Sequence, residues 1–97
     1  MNKMRPIHPG EVLRAEFLEP LGLSAHALAV ALRVPAPRIN DLVRERRSIT
    51  PDSALRLARH FKTTQQFWMN LQASHDSKIA LRDSEGRIEK EILPRVA

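Results

Sequence analysis

Between Arg33 and Lys62 the chain carries eight cations (Arg33, Arg38, Arg44, Arg46, Arg47, Arg56, Arg59 and Lys62) against three acids, Asp41, Glu45 and Asp52. On either side the charges cancel, three against three in residues 1–32 and five against five in residues 63–97. The whole formal net charge of +5 therefore sits in one window. A mildly basic protein ordinarily has no more than a solvated surface, but an excess confined to one stretch points to a polyanionic partner. Seven of the eight cations are arginines, whose planar donor fork matches phosphates and guanine edges better than a lysine ammonium does.

Material for bond-breaking chemistry is poor. The chain has no cysteine, which removes disulfides, thiolate metal sites and thiol nucleophiles together. His8, His26, His60 and His75 share no metal-ligand spacing with acids on one helix face. The three glycines, Gly10, Gly22 and Gly86, are too scattered for a phosphate-cradling loop. Trp68, at helical spacing from Leu71, reads as core or interface. No catalytic residue, metal or cofactor is expected. The opening Met1-Asn2-Lys3-Met4-Arg5-Pro6 is not followed by an apolar stretch of signal-peptide kind. No segment approaches the roughly 18 apolar residues of a membrane span, and the cytoplasm is the expected location.

The elements that must position the basic window are short helices. Ninety-seven residues make one domain with a modest core, to which oligomerisation would add buried surface. Val12, Leu13, Phe17, Leu18 and Leu21 predict a first amphipathic helix of about ten residues after Pro9, stopped by Pro20 and Gly22. Ser24 is the expected N-cap of a second helix with Leu28, Ala29 and Leu32 inward. Pro35-Ala36-Pro37 predicts a third helix from about Ala36, because proline is tolerated in a first turn, with Ile39, Leu42 and Val43 buried. Thr50-Pro51-Asp52 starts a fourth, with Ala54, Leu55, Leu57, Ala58 and Phe61 on its apolar side. Thr63 or Thr64 caps a fifth, carrying Phe67, Trp68 and Leu71 and running to about Leu81, ahead of Asp83-Ser84-Glu85-Gly86. The stretch Arg87–Leu93 fits either a helix face through Ile88 and Ile92 or a strand face through Ile88, Lys90 and Ile92. It is expected to serve as a strand or arm at a dimer interface.

The spacing Leu28-Ala29, Val34, Ile39 and Leu42 suits two helices crossing steeply through a short turn, which leaves the second free to enter a major groove. At this point the sequence resembles the phage-repressor-like helix-turn-helix family and, within it, the HigA antitoxins. The resemblance is carried by Met4-Arg5-Pro6-Ile7-His8-Pro9-Gly10-Glu11, Phe17-Leu18-Glu19-Pro20-Leu21-Gly22-Leu23-Ser24, Arg46-Arg47-Ser48-Ile49-Thr50-Pro51-Asp52, Ala54-Leu55-Arg56-Leu57 and Phe67-Trp68-Met69-Asn70-Leu71-Gln72. These cover about residues 4–75. The resemblance implies an all-α, five-helix phage-repressor-like helix-turn-helix domain. Residues 1–75 are expected to form the DNA-binding part, and residues 76–97 the end of the fifth helix and a dimerising extension of the same domain. His8 is expected to cap or pack at the start of the first helix. The family's turn usually has glycine where this chain has Arg33. A left-handed non-glycine residue costs of order 1 kcal/mol, so either Arg33 accepts that conformation or the turn takes another shape.

The resemblance further implies base contacts from the exposed start of the third helix, at Ala36, Pro37, Arg38, Asn40 and Asp41. Ala36 and Pro37 offer apolar surface, as to a thymine methyl. Arg38 is the main candidate, with guanine O6 and N7 its natural target. Asn40 suits adenine or faces a neighbouring helix. Asp41 accepts from cytosine or holds Arg38 or Arg44. Phosphate contacts, which orient without reading sequence, are expected from Arg44, Arg46 and Arg47, and from Ser24, Ala25 and His26 at the start of the second helix.

The function so implied is that of a type II antitoxin: a homodimer that binds operator DNA, represses its own operon, and neutralises a HigB-like toxin, an mRNA interferase. Two alternatives stand beside it. One is a stand-alone helix-turn-helix regulator without a toxin. The other is a protein-interaction module that kept the fold and lost DNA binding.

Overall fold

In a computed structural model of the chain, residues 5–96 are described, and residues 1–4 and 97 lie outside, among them Met4 of the opening motif and Lys3. Five helices follow one another: α1 Pro9–Leu21, α2 Ala25–Leu32, α3 Ala36–Val43, α4 Pro51–Phe61 and α5 Gln65–Glu91. No strand forms among the described residues.

Each start has a local cause. His8 caps α1 through its ring, Nδ1 accepting the Gly10 amide at 2.9 Å, with Pro9 in the first turn. Ser24, Thr50 and Thr64 cap α2, α4 and α5 by accepting the amides of Ala27, Ser53 and Phe67. These are the amides that an uncapped helix leaves orphaned. The first helix runs through Pro20 and is longer than the sequence predicts. Between Leu13 and Leu18 it widens into a π-helical stretch, and the Glu19 amide reaches back to the Arg14 carbonyl. The wider turn eases the clash that a proline ring makes with the carbonyl four residues earlier.

The four connections all close in one way. Gly22, Arg33, Glu45 and Lys62 each adopt the left-handed conformation, with φ of 62°, 59°, 64° and 59°. In each case the next residue's amide reaches back into the last turn: Leu23 to the Leu18 carbonyl, Val34 to Ala29, Arg46 to Asp41 and Thr63 to Ala58. This is the Schellman closure, which satisfies carbonyls that the helix end exposes. Arg33 thus accepts the strained conformation, and the turn keeps the shape for which glycine is usual.

The core gathers Leu13, Leu18, Leu28, Ala29, Leu32, Ile39, Leu42, Ile49, Ala54, Leu57 and Trp68. Trp68 is fully enclosed and donates its indole N–H to Thr63 Oγ1 at 2.8 Å. Phe17 bridges α1 to the far side of the core, with ring centroids 4.8 Å from Phe61 and 5.1 Å from Trp68. Leu55, expected on the apolar side of α4, is instead exposed. At 100° per residue it falls beside the stripe formed by Ala54, Leu57, Ala58 and Phe61.

The fifth helix also departs from expectation. It continues through Asp83-Ser84-Glu85-Gly86 to Glu91. A mid-helix glycine costs only about 1 kcal/mol, less than is needed to stop a helix whose hydrogen-bond ladder runs on past it. It ends where Leu93 precedes Pro94, a position from which the helical conformation is sterically disfavoured. Ile88 therefore lies within the helix and Ile92, with extended backbone, forms its C-cap, so the strand alternative for Arg87–Leu93 is not realised. With Leu81, Leu93 and Val96 they are exposed.

Candidate nucleic-acid interface

Helices α2 and α3 are joined by Arg33-Val34-Pro35, and the crossing is close because Ala29, fully buried, carries only a methyl group. Ile39 and Leu42 face the core from α3, so the opposite side of that helix turns outward. Pro35 caps α3 without a side-chain hydrogen bond, and Ala36 and Pro37 form its first turn. Pro37 is exposed, and Ala36, Arg38, Asn40 and Asp41 are half-buried.

The far end of α3 is held from α1. Arg14 donates through Nη1 to the Val43 carbonyl and through Nη2 to Glu45 Oε2 at 3.2 Å. A cation at a helix C-terminus interacts favourably with the partial negative charge there. Gly10 sits against the same turn, where a Cβ would run into the Leu42 carbonyl. Glycine thus lets the start of α1 approach the end of α3. The loop that follows is secured from α5: Gln72, itself buried, accepts the Ile49 amide through Oε1 at 2.7 Å.

On this frame Arg44, Arg46 and Arg47 are all exposed. None of the three forms an ion pair with a carboxylate among the described residues. A contiguous set of unneutralised guanidiniums at the end of one helix is a concentrated positive field. At the start of α2, Ser24 and His26 are exposed and Ala25 half-buried. Ser24 Oγ accepts the Ala27 amide at 3.0 Å, which leaves its hydroxyl proton free to donate. The Ala25 and His26 amides belong to the first turn, where no intrahelical acceptor exists.

Among the described residues, Arg38 is the one base-contact candidate whose side chain has a partner. Its Nη1 lies 3.5 Å from Asp52 Oδ2 on α4, and Asp41 does not hold it. The expectation that Asp41 steadies Arg38 or Arg44 is therefore corrected. Asp41 contributes its backbone carbonyl, which accepts the Arg46 amide at 2.8 Å. Sequence reasoning also missed Arg14, Asp52, Arg56 and Gln72 as supports. The i,i+4 spacing of Asp52 and Arg56 was a legible signal, whereas the contacts of Arg14 and Gln72 span 29 and 23 residues and leave no local trace.

His8 and His75 meet edge to face, with centroids 4.9 Å apart, and Asp76 Oδ1 lies 3.3 Å from His75 Nδ1. Among the described residues, no group of three or more His, Cys, Asp or Glu side chains is placed to hold a metal ion. Burial, and next the neighbouring His75, push the His8 pKa below its ordinary value, in keeping with a ring that must stay neutral to accept the Gly10 amide. No single helix among the described residues is long and apolar enough to cross a membrane.

Residues 15–65, which span α2, α3 and α4 with most of α1, match the family described as helix-turn-helix. The chain is 56% identical over 84 residues to virulence-associated protein I of Dichelobacter nodosus, covering 87% of this chain and 78% of that protein. It is 36% identical over 89 residues to antitoxin HigA-1 of Vibrio cholerae, covering 92% and 80%. The structure superimposes on Pseudomonas aeruginosa antitoxin HigA, solved with the higBA promoter, with a TM-score of 0.91 and 52% identity over 95% of this chain and all of that one. The chain therefore belongs to the helix-turn-helix family, among the HigA antitoxins.

Proposed function

We propose that this chain is an autoregulating antitoxin, a homodimer that represses its own operon by binding operator DNA and that also binds and neutralises a HigB-like toxin. The observation that carries the DNA half is the exposed set Arg44, Arg46 and Arg47, free of carboxylate partners among the described residues, at the end of a helix whose outer face is open. Support comes from the similarity to P. aeruginosa antitoxin HigA, a protein whose structure is solved with the higBA promoter.

In this reading α3 lies in the major groove. Ala36, Pro37, Arg38, Asn40 and Asp41 face base edges, with Arg38 the guanine reader. Arg44, Arg46 and Arg47 hold phosphates on one side, and Ser24, Ala25 and His26 hold them on the other. Residues 1–75 are the DNA-binding part, and residues 76–97 join two copies through the exposed apolar groups Leu81, Ile88, Ile92, Leu93 and Val96. Two-fold symmetry then sets two reading helices about 34 Å apart, one turn of duplex. The toxin half of the proposal follows from membership among the HigA antitoxins.

The test is binding to the promoter duplex immediately upstream of the gene at several salt concentrations. The wild type is expected to protect a two-fold site. Replacing Arg44, Arg46 and Arg47 together by alanine is expected to flatten the log–log salt slope by about 3 per protomer. An unchanged slope would remove this surface from the interface. Co-purification of the neighbouring gene product with the tagged chain tests the toxin half, and its absence favours a stand-alone regulator.

A further inference from the structure

Arg38 belongs to a relay that crosses three helices. Its Nη1 lies 3.5 Å from Asp52 Oδ2, in the first turn of α4. The same carboxylate oxygen accepts from Arg56 Nε at 2.9 Å. Arg56 Nη1 in turn donates at 2.8 Å to the carbonyl of Leu32, the last residue of α2. The links are unequal, and the inequality matters. Asp52 is held closely from the Arg56 side and only loosely engages Arg38. A carboxylate fixed by one guanidinium can orient a second at longer range while leaving most of that second donor fork free. Arg56 bonds the carbonyl just before the left-handed Arg33, so the relay is anchored on the turn that sets α3 against α2.

We propose that Asp52 is the positioning residue for base reading by Arg38, and that Arg56 holds Asp52 in place for this task. The proposal rests on α3 being the reading helix. Two consequences follow from the charge of Asp52. An arginine oriented before contact loses less rotamer freedom on binding, so Asp52 strengthens a contact that depends on direction. A carboxylate beside a phosphate backbone also repels every DNA sequence alike. Asp52 therefore raises discrimination while lowering general affinity, and a merely structural residue would do neither in that combination.

The experiment uses the full-length protein and the footprinted promoter duplex, a series of duplexes with each footprinted base pair replaced in turn, and a random-sequence duplex. Wild type, Arg38→Ala, Asp52→Asn and the double variant are compared for Kd on each, with thermal melts alongside. Arg38→Ala is expected to lose discrimination at one base pair per half-site. Asp52→Asn is expected to lose roughly tenfold discrimination at that same pair, to bind the random duplex more tightly, and to melt close to wild type. The double variant is expected to discriminate no worse than Arg38→Ala. Wild-type discrimination by Asp52→Asn at the Arg38 pair overturns the proposal. So does an equal loss at every pair with a lowered melting temperature, which marks a structural role. If Arg38→Ala itself alters discrimination nowhere, the reading of DNA by Arg38 fails first. Asp52→Ser is the second variant should Asp52→Asn fold poorly, since serine also tolerates the first turn and removes the charge.

Discussion

Gln72 on α5 and Ile49 in the loop after α3 meet inside the protein, the Gln72 side-chain oxygen accepting the Ile49 amide at 2.7 Å. The same side chain donates through Nε2 to Asp76 Oδ1 at 2.9 Å. A buried backbone amide in a loop has no ladder partner of its own, and Gln72 supplies one from a helix more than twenty residues away. Arg44, Arg46 and Arg47 lie just before this anchor.

Replacing Gln72 by leucine is expected to strand the Ile49 amide. The cost should be about 1–3 kcal/mol, the desolvation penalty of a buried donor left unsatisfied. Urea unfolding at fixed protein concentration measures it. A change below about 0.5 kcal/mol, which is the scatter of ordinary surface substitutions, would mean that water or another acceptor replaces Gln72.

Stability should depend on pH through His8. Its Nδ1 accepts the Gly10 amide, so the ring is required neutral, with its proton on Nε2. Burial and then His75 lower its pKa, against smaller opposing effects from Glu45 and Asp76, and Arg14 adds the smallest lowering effect. Between the lowered folded value and the ordinary 6.5, the unfolded chain binds more protons than the native one. This contribution is fully present above the ordinary value and is lost as the pH falls through the window toward the folded value. His8→Asn keeps a capping acceptor and should flatten the stability profile just below the ordinary value of 6.5. Parallel profiles for the two proteins would assign the pH dependence to other groups.

Gly10→Ala is expected to destabilise by about 1–3 kcal/mol, the range for overpacking a tight contact. The new Cβ would meet the Leu42 carbonyl, a backbone atom that cannot swing aside as a flexible side chain could. Gly86→Ala, where nothing lies within 4 Å, is the control and should stabilise slightly through helix propensity. Denaturant midpoints compare the two, and an equal response at both sites would contradict the close approach of α1 to α3.

Arg33→Gly is expected to stabilise the fold by roughly 0.5–1 kcal/mol. The gain is the relief of a left-handed non-glycine residue, offset in part by the greater unfolded-state entropy of glycine. Lys62→Gly should behave alike, since Lys62 shares the conformation. Thermal melts at one concentration decide the matter, and a loss of stability at Arg33 would show that its side chain contributes more than the strain costs.

The features legible in the amino-acid sequence were those with short-range causes. Ser24, Thr50 and Thr64 announce helix starts because a cap acts within three residues. The core stripe of Leu28, Ala29, Leu32, Ile39 and Leu42 follows from helical periodicity, and the charge excess of residues 33–62 needs no structure at all. Even the strain at Arg33 could be anticipated, though not that the chain would accept it. The length of α5 was misjudged because a single glycine weakens a helix without ending it. Tertiary structure alone decided what surrounds the reading helix. Arg14 meets Val43, Gln72 meets Ile49 and Arg38 meets Asp52 only once helices distant in the chain have packed. The choice of Asp52 over Asp41 as the partner of Arg38 depends on where α4 lies, which no spacing within α3 encodes. Side-chain pairing across elements is set by packing geometry, whereas capping and periodicity are set within one turn of helix.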